Sequence, residues 1–331
     1  MSVLKYVKKL NLANSSVLFG YERISNCAQI CVRNYTPRRA VLYVPGDSER
    51  KLKKAFGLKV DCIAMDCEDG VAVNKKTTAR ETIHCLLNEG KPHSAKFDWA
   101  IRINSIDSGL CSDDLSAILT AKHLPDTILL PKVEHTQHLK WFSEQLKKHL
   151  KKDKYVNLVM LIESAVSMLN LPDICKMAQE HPLHFVPTSL IFGSDDFCAS
   201  IGATRTEDST EILYARQKMV LVAKAYGLQA IDMVYINYKD LDGLQKQCEQ
   251  GMRMGYTGKQ VIHPEQVPIT QVSFLPTKAH LHWATGLLEA FDKHQKSGVG
   301  AFTYKGSMID MPTVRQAQNV MKLMESAKNE V

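Results

Sequence analysis

Eight short apolar runs between Ala40 and His263 mostly stop at a charged or hydrogen-bonding residue, and this rhythm constrains the fold more than any other feature. Run 40–42 meets Tyr43, 60–65 meets Asp66, Glu68 and Asp69, 99–101 meets Arg102, and 128–130 leads into Lys132. Run 156–162 meets Glu163, 190–192 leads to Asp195 and Asp196, 231–236 brackets Tyr235, and Val261 with Ile262 precedes His263. Each run is short and apolar enough to be a strand buried on both faces. Between them, segments 80–88, 136–150 and 213–226 repeat apolar residues at three- and four-residue spacing among Lys, Glu and Gln, the pattern of amphipathic helices.

Antiparallel neighbours need only a tight turn, whereas connections of this length call for crossover helices and a parallel sheet. Eight such units predict a (β/α)8 TIM barrel with a C-terminal helical extension, the alternative being an open doubly wound sheet. In a barrel the active site is built at the carboxyl ends of the strands, where the polar residues above would emerge. The expected organisation is a catalytic barrel over 37–270 and an extension over 271–331 that carries Asp310. In that extension 276–295 and 312–328 look helical. Gly298, Gly300 and Gly306 punctuate a loop or short strand holding Ser307, Met308, Ile309 and Asp310.

Residues 1–36 read as a mitochondrial presequence, with a disordered basic tail as the alternative. Across the first 38 residues Lys5, Lys8, Lys9, Arg23, Arg33 and Arg38 stand against one acid, Glu22, and Leu4, Val7 and Leu10 fall at helical spacing. A matrix location is therefore expected. The formal charge of +7 comes partly from this segment and partly from lysines such as Lys147, Lys148, Lys151, Lys152 and Lys154, the pattern of a solvated helix face. Without zinc-finger spacing or aromatic-basic interleaving, nucleic acid is not the expected partner. No apolar run reaches the roughly 18 residues of a spanning helix, so membrane insertion is not expected. Nine cysteines without a CxxC pair fit a reduced compartment, and Cys62 and Cys67 read as packing thiols.

Glu163 and Asp196 end the fifth and sixth runs, so both carboxylates should meet on one rim. Two hard oxygen donors there suit Mg²⁺, whose remaining positions are filled by water and substrate. Either acid could instead cap the following helix, because Ser164 and Asp195 lie where caps belong. Arg102, set among buried residues, requires a partner. That partner is either a substrate carboxylate or enolate oxygen, or an internal ion pair with Glu68 or Asp69. Arg50 and Lys54 share one face of a basic helix after the turn Pro45-Gly46-Asp47, where positive side chains can hold phosphates.

Read together, several strings resemble the citrate lyase β-subunit and malyl-CoA lyase group of barrel enzymes, from about Pro37 onward. They are Leu42-Tyr43-Val44-Pro45-Gly46, Asp66-Cys67-Glu68-Asp69-Gly70-Val71, Arg102-Ile103-Asn104, Leu130-Pro131-Lys132-Val133-Glu134, and Gly258-Lys259-Gln260-Val261-Ile262-His263-Pro264, with the surroundings of Glu163 and Asp196. Leu213-Tyr214-Ala215-Arg216-Gln217-Lys218 and Gly306-Ser307-Met308-Ile309-Asp310-Met311-Pro312 are similar to its stand-alone mitochondrial members, which cleave citramalyl-CoA.

The resemblance implies Mg²⁺ at Glu163 and Asp196, substrate or CoA contacts at Tyr43, Arg50, Lys54, Arg102, Ile262 and His263, and a catalytic carboxylate at Asp310. It implies a homotrimer that takes a CoA thioester and a small 2-oxo acid, pyruvate or in a related activity glyoxylate. The implied reaction is cleavage of (3S)-citramalyl-CoA to acetyl-CoA and pyruvate, with Arg102 stabilising oxyanion charge and Asp310, in cis or in trans, protonating the enolate carbon. Malate synthase, malyl-CoA lyase or thioesterase activity, and a non-catalytic subunit, are the alternatives. Two positions depart from the group's pattern. Arg50 stands where Lys is expected, and the sixth-strand turn reads Gly193-Ser194-Asp195-Asp196 rather than a Gly-Gly-Glu-Asp type.

Overall fold

A computed structural model describes residues 36–93, 95–150, 154–180, 184–296 and 302–328. Residues 1–35, which make up nearly all of the expected presequence, lie outside the described residues, as do Lys151, Lys152, Gly298 and Gly300.

Eight parallel strands close into a barrel in chain order: β1 (Ala40–Pro45), β2 (Cys62–Asp66), β3 (Asp98–Arg102), β4 (Thr127–Leu130), β5 (Val156–Ile162), β6 (Phe185–Phe192), β7 (Gln229–Asp232) and β8 (Gly258–Val261). Pairing of β1 with β8, with Val41 opposite Gln260, seals the ring and excludes the open sheet. The crossovers carry α1 (Glu49–Ala55), α2 (Lys76–Glu89), α3 (Cys111–Leu119), α4 (Thr136–His149), α5 (Ala165–Glu180), α6 (Ser194–Ile201), α7 (Leu213–Ala225), α8 (Leu241–Met254) and α9 (Gln266–Ser273). The seventh strand ends at Asp232, earlier than the apolar run continues, so Tyr235 stands on a loop, where its hydroxyl donates to Asp240 Oδ2 at 2.6 Å.

Strand side chains alternate between two environments because the pleat has a period of two. Val41, Ala64, Ala100, Leu129, Val159, Leu161, Ile191 and Ile231 fill the middle of the barrel. Their neighbours Leu42, Ile63, Met65, Ile101, Ile128, Leu130, Leu158 and Leu190 pack outward among the helices. Burial on both faces explains why the runs are continuous in sequence rather than alternating. Cys62 and Cys67 are buried in these two layers, and burial pushes both thiols well above the ordinary range, as befits packing groups.

Arg38, grouped by charge with the presequence, instead lies 2% exposed among polar residues that precede the apolar layer along their strands. Its Nε donates to Asp98 Oδ2 at 2.6 Å, and the remaining nitrogens donate to Ser189 and Thr127 at 3.2 and 3.1 Å. A charge count along the chain cannot see a countercharge 60 positions away. Outside the wall, Arg216 of α7 is held by both oxygens of the buried Asp232, at 3.2 and 2.7 Å, which assigns that string a packing role.

After α9, helices α10 (Lys278–Lys296) and α11 (Met311–Lys328) pack together, and an antiparallel hairpin of β9 (Phe302–Tyr304) and β10 (Ser307–Ile309) lies between them in sequence. The two-residue turn has positive φ at Lys305 (48°) and Gly306 (82°), the geometry that matches the twist of a tight hairpin. Phe302 anchors the hairpin by stacking on His294 of α10, with centroids 4.5 Å apart.

Candidate active site at the carboxyl rim

Beyond the apolar layer, the same alternation brings polar side chains together at the carboxyl ends of the strands. Asp66 is the register partner of Arg102, so their side chains meet across β2 and β3. Arg102 Nε and Nη2 donate to the two Asp66 oxygens at 2.7 and 2.6 Å, while Nη1 lies 3.0 Å from Glu68 Oε2. Of the two partners expected for Arg102, Glu68 is present and Asp69 is not; Asp69 is exposed, and Asp66 makes the bidentate contact. The Arg102 guanidinium rests 4.6 Å from the centroid of the Tyr43 ring, and the Tyr43 hydroxyl donates to Gln260 Oε1 at 3.0 Å.

Glu163 and Asp196 both lie at this rim, and neither is a helix cap. The start of α5 is served by Ser164, whose Oγ accepts from the Ser167 amide at 3.0 Å. Asp195 is held by Arg205 Nη1 at 2.6 Å. Glu163 Oε1 accepts the Lys132 amide at 2.7 Å, an N–H aimed there by a left-handed backbone at Lys132 with φ 52°. Lys132 Nζ stands 3.7 Å from Glu68 and 3.9 Å from Asp196. Gly193 is required beside Glu163, since a Cβ there would run into its carboxylate.

Carboxylates outnumber cations here, and protons are held accordingly. Burial first, then repulsion from Asp196, pushes Glu163 up to about 7. Burial pushes Glu68 up to about 8 in spite of Arg102, and neither of its oxygens accepts a hydrogen bond. Asp196 is also raised, chiefly by burial. Burial works against charge on Lys132, but Glu68 and Asp196 outweigh it and raise its pKa above the ordinary value, so it stays cationic.

These residues fit Mg²⁺. Among the described residues no cluster of three or more His, Cys, Asp or Glu is arranged to hold a metal. A pair of carboxylates repelling each other beside a solvent-open rim matches an ion that keeps water and substrate in its other positions.

Of the remaining expected contacts, Arg50 and Lys54 follow β1, Ile262 and His263 follow β8, and Asp310 lies in the carboxyl-terminal extension. Arg50 and Lys54 are exposed, one turn apart on α1, whereas Lys53 between them pairs with Glu49 at 2.7 Å. Ile262 is 42% exposed just after β8, and His263 packs against Tyr238 with centroids 4.8 Å apart. Asp310 is exposed after β10, and its Oδ1 accepts from the Thr313 amide and hydroxyl at 3.1 and 2.9 Å, which caps α11 and lowers its pKa. Asp66, Lys132 and Gln260 belong to the site but were not singled out from sequence as site residues. Their signal was position alone, at the ends of β2 and β4 and on the inward face of β8.

The sequence profile of the HpcH/HpaI aldolase/citrate lyase family matches residues 39–264. The chain is 46% identical to the mitochondrial citramalyl-CoA lyase of Rattus norvegicus, covering 97% of this chain and 94% of that one. It is 32% identical to a (3S)-malyl-CoA thioesterase of Cereibacter sphaeroides, over 88% of this chain and 95% of the relative. The fold is similar to a crystal structure of CitE from Mycobacterium tuberculosis in complex with magnesium, acetoacetate and coenzyme A. That protein is 24% identical, with a TM-score of 0.71, covering 87% of this chain and 98% of the other.

Proposed function

The chain belongs to the HpcH/HpaI aldolase/citrate lyase family, and from that premise we propose that it is a Mg²⁺-dependent lyase that cleaves (3S)-citramalyl-CoA to acetyl-CoA and pyruvate. The observation that carries this reading is the meeting of Arg102 and Lys132 with Glu68, Glu163 and Asp196 on one rim of the barrel. A mitochondrial location follows from the relatives' names, and among the described residues no helix is long and apolar enough to cross a membrane.

In this reading Glu163 and Asp196 hold Mg²⁺, which when bound supplies Lewis-acid polarisation of the oxygen that passes from hydroxyl to ketone. Arg102, gripped along one edge by Asp66, presents a fixed cation to developing oxyanion charge. Lys132 adds a second positive charge to the same rim. Cleavage passes the hydroxyl proton to solvent at the open rim, breaks the carbon-carbon bond as the carbon-oxygen bond becomes the ketone of pyruvate, and leaves the electron pair on the acetyl-CoA enolate. Asp310, held ionised by Thr313 in the free chain, takes up a proton from solvent and passes it to that carbon, which gives the methyl group. Within its own chain Asp310 is occupied with Thr313, and it is flanked by the exposed Met308 and Met311. Both facts support donation to a neighbouring copy in a homotrimer, with the apolar flanks covered by that contact. Arg50, Lys54, Ile262 and His263 bind the CoA portion, and Tyr43 supports Arg102.

The test is to incubate purified protein with (3S)-citramalyl-CoA, malyl-CoA, or acetyl-CoA plus glyoxylate, with and without Mg²⁺. Metal-dependent release of pyruvate from citramalyl-CoA, well above the other two activities, is expected. Hydrolysis of malyl-CoA as the dominant reaction would assign thioesterase function instead, and inertness toward all three would leave a binding subunit.

A further inference from the structure

We propose that Gln260 is a positioning residue for Arg102, acting through Tyr43. Gln260 is 5% exposed on the inner face of β8, at the seam where the barrel closes. Its Nε2 donates to the Phe192 carbonyl at 2.9 Å and the Asp232 carbonyl at 3.3 Å, the last residues of β6 and β7. Carbonyl oxygens only accept, so this anchoring decides which end of the amide is nitrogen. The Oε1 that remains must take a donor, and the Tyr43 hydroxyl supplies it at 3.0 Å.

Two consequences follow for the phenol. Its proton is committed to Gln260, so the hydroxyl is not a donor to substrate in this arrangement. Its ring is tethered at the far end and becomes a fixed platform 4.6 Å from the Arg102 guanidinium. Asp66 fixes the guanidinium edge and Tyr43 fixes its face, and together they determine the plane of the fork. One amide therefore ties the ends of β6, β7 and β8 to β1 and, through the ring, to β3. Phe192 is also the residue before the Gly193 turn that leads to Asp196. Gln260 thereby joins the cationic half of the site to the carboxylate half without touching the reacting atoms. Small displacements of a group aimed at developing charge cost rate steeply, about 10²-fold for 1 Å, whereas remote CoA contacts are insensitive to them.

This rests on the reading of Arg102 as the oxyanion-stabilising group. Tyr43→Phe, Gln260→Leu and the double variant are compared with wild type in steady-state cleavage of (3S)-citramalyl-CoA at saturating Mg²⁺. Arginine ¹⁵N-labelled protein reports the Arg102 Nε–H resonance, assigned by its loss in Arg102→Lys. Each single change is expected to lower kcat about tenfold with KM within about twofold, and the double variant to be no slower than about twofold below the worse single. The Arg102 resonance should shift in the same direction in both singles. Multiplying effects, a loss expressed in KM, or an unmoved Arg102 resonance would overturn the proposal. If Gln260→Leu fails to fold, Tyr43→Phe alone decides, because it removes only the hydroxyl. If wild-type protein cleaves no CoA thioester, the functional reading fails while the resonance still tests the Gln260–Tyr43–Arg102 linkage.

Discussion

Asp66 and Arg102 are register partners on adjacent parallel strands, and the carboxylate takes the guanidinium by one edge, at 2.7 and 2.6 Å. The grip leaves Nη1 to face Glu68 and the cation to face the rim. Lysine at position 102 would keep the charge but lose the two-pronged contact. Arg102→Lys is expected to lower kcat about 10²-fold with little change in KM for the thioester, the usual size of a lost oxyanion donor. A variant that turns over at the wild-type rate would remove Arg102 from the chemical step.

Glu163→Gln and Asp196→Asn should each weaken Mg²⁺ binding at least tenfold while leaving the melting temperature of the metal-free protein unchanged or higher, because each removes a negative charge that has been pushed out of its ordinary range. Calorimetric titration with Mg²⁺ checks this. Full turnover of either variant in excess chelator would dismiss the metal assignment.

The same carboxyls predict a pH dependence. Glu163 and Glu68 hold their protons up to about 7 and about 8 when folded, against 4.5 as ordinary groups. The folded state then binds protons that the unfolded state releases. Stability of the metal-free protein should accordingly be fullest below about 4.5 as far as these groups decide it, fall as pH rises toward 7 and 8, and level off beyond. Mg²⁺ needs the deprotonated pair, so its affinity should rise by up to about tenfold per pH unit until about 7. Melting curves from pH 5.5 to 8.5 with and without Mg²⁺ should diverge toward high pH; parallel curves would contradict the assignment.

Arg50 and Lys54 are exposed one turn apart on α1. Replacing both with alanine should raise KM for the CoA thioester several-fold, leave kcat within about twofold, and have less effect at high salt. An unchanged KM would move the phosphate contacts elsewhere on the rim.

Asp310 combines a capping role with the proposed proton transfer, and asparagine separates the two. Asn also caps helices well. Asp310→Asn should keep the melting temperature and lose kcat by at least 10²-fold, whereas Asp310→Ala should lose kcat and some stability. Co-assembly of Asp310→Asn with Glu163→Gln subunits should restore part of the activity if the carboxylate serves a neighbour. Mixed oligomers as inactive as both parents would place the reaction within one chain.

The barrel was legible because its strands are buried on both faces and end at polar residues, so chain order alone gave the order of the ring and most of the rim. Glu163 and Asp196 could be named as a pair from strand ends without any knowledge of distance. Register was not legible. Glu68 or Asp69 was the partner expected for Arg102; Glu68 is met, but the bidentate partner is Asp66, and only the pairing of β2 with β3 reveals it. Gln260 was hidden inside an otherwise ordinary run, since an inward amide at a strand end looks like any polar residue until its three partners surround it. Lys132 was visible as a strand end, but its left-handed backbone and its place between two carboxylates were not.

The buried contact between Arg38 and Asp98 also sets a limit on how far the amino end can be shortened without cost to the barrel. Shortening the chain past Arg38 would leave Asp98 in the barrel without its countercharge, a loss of about 3–5 kcal/mol for a broken buried pair. Arg38 is thus part of the barrel's buried polar layer although the first strand begins only at Ala40.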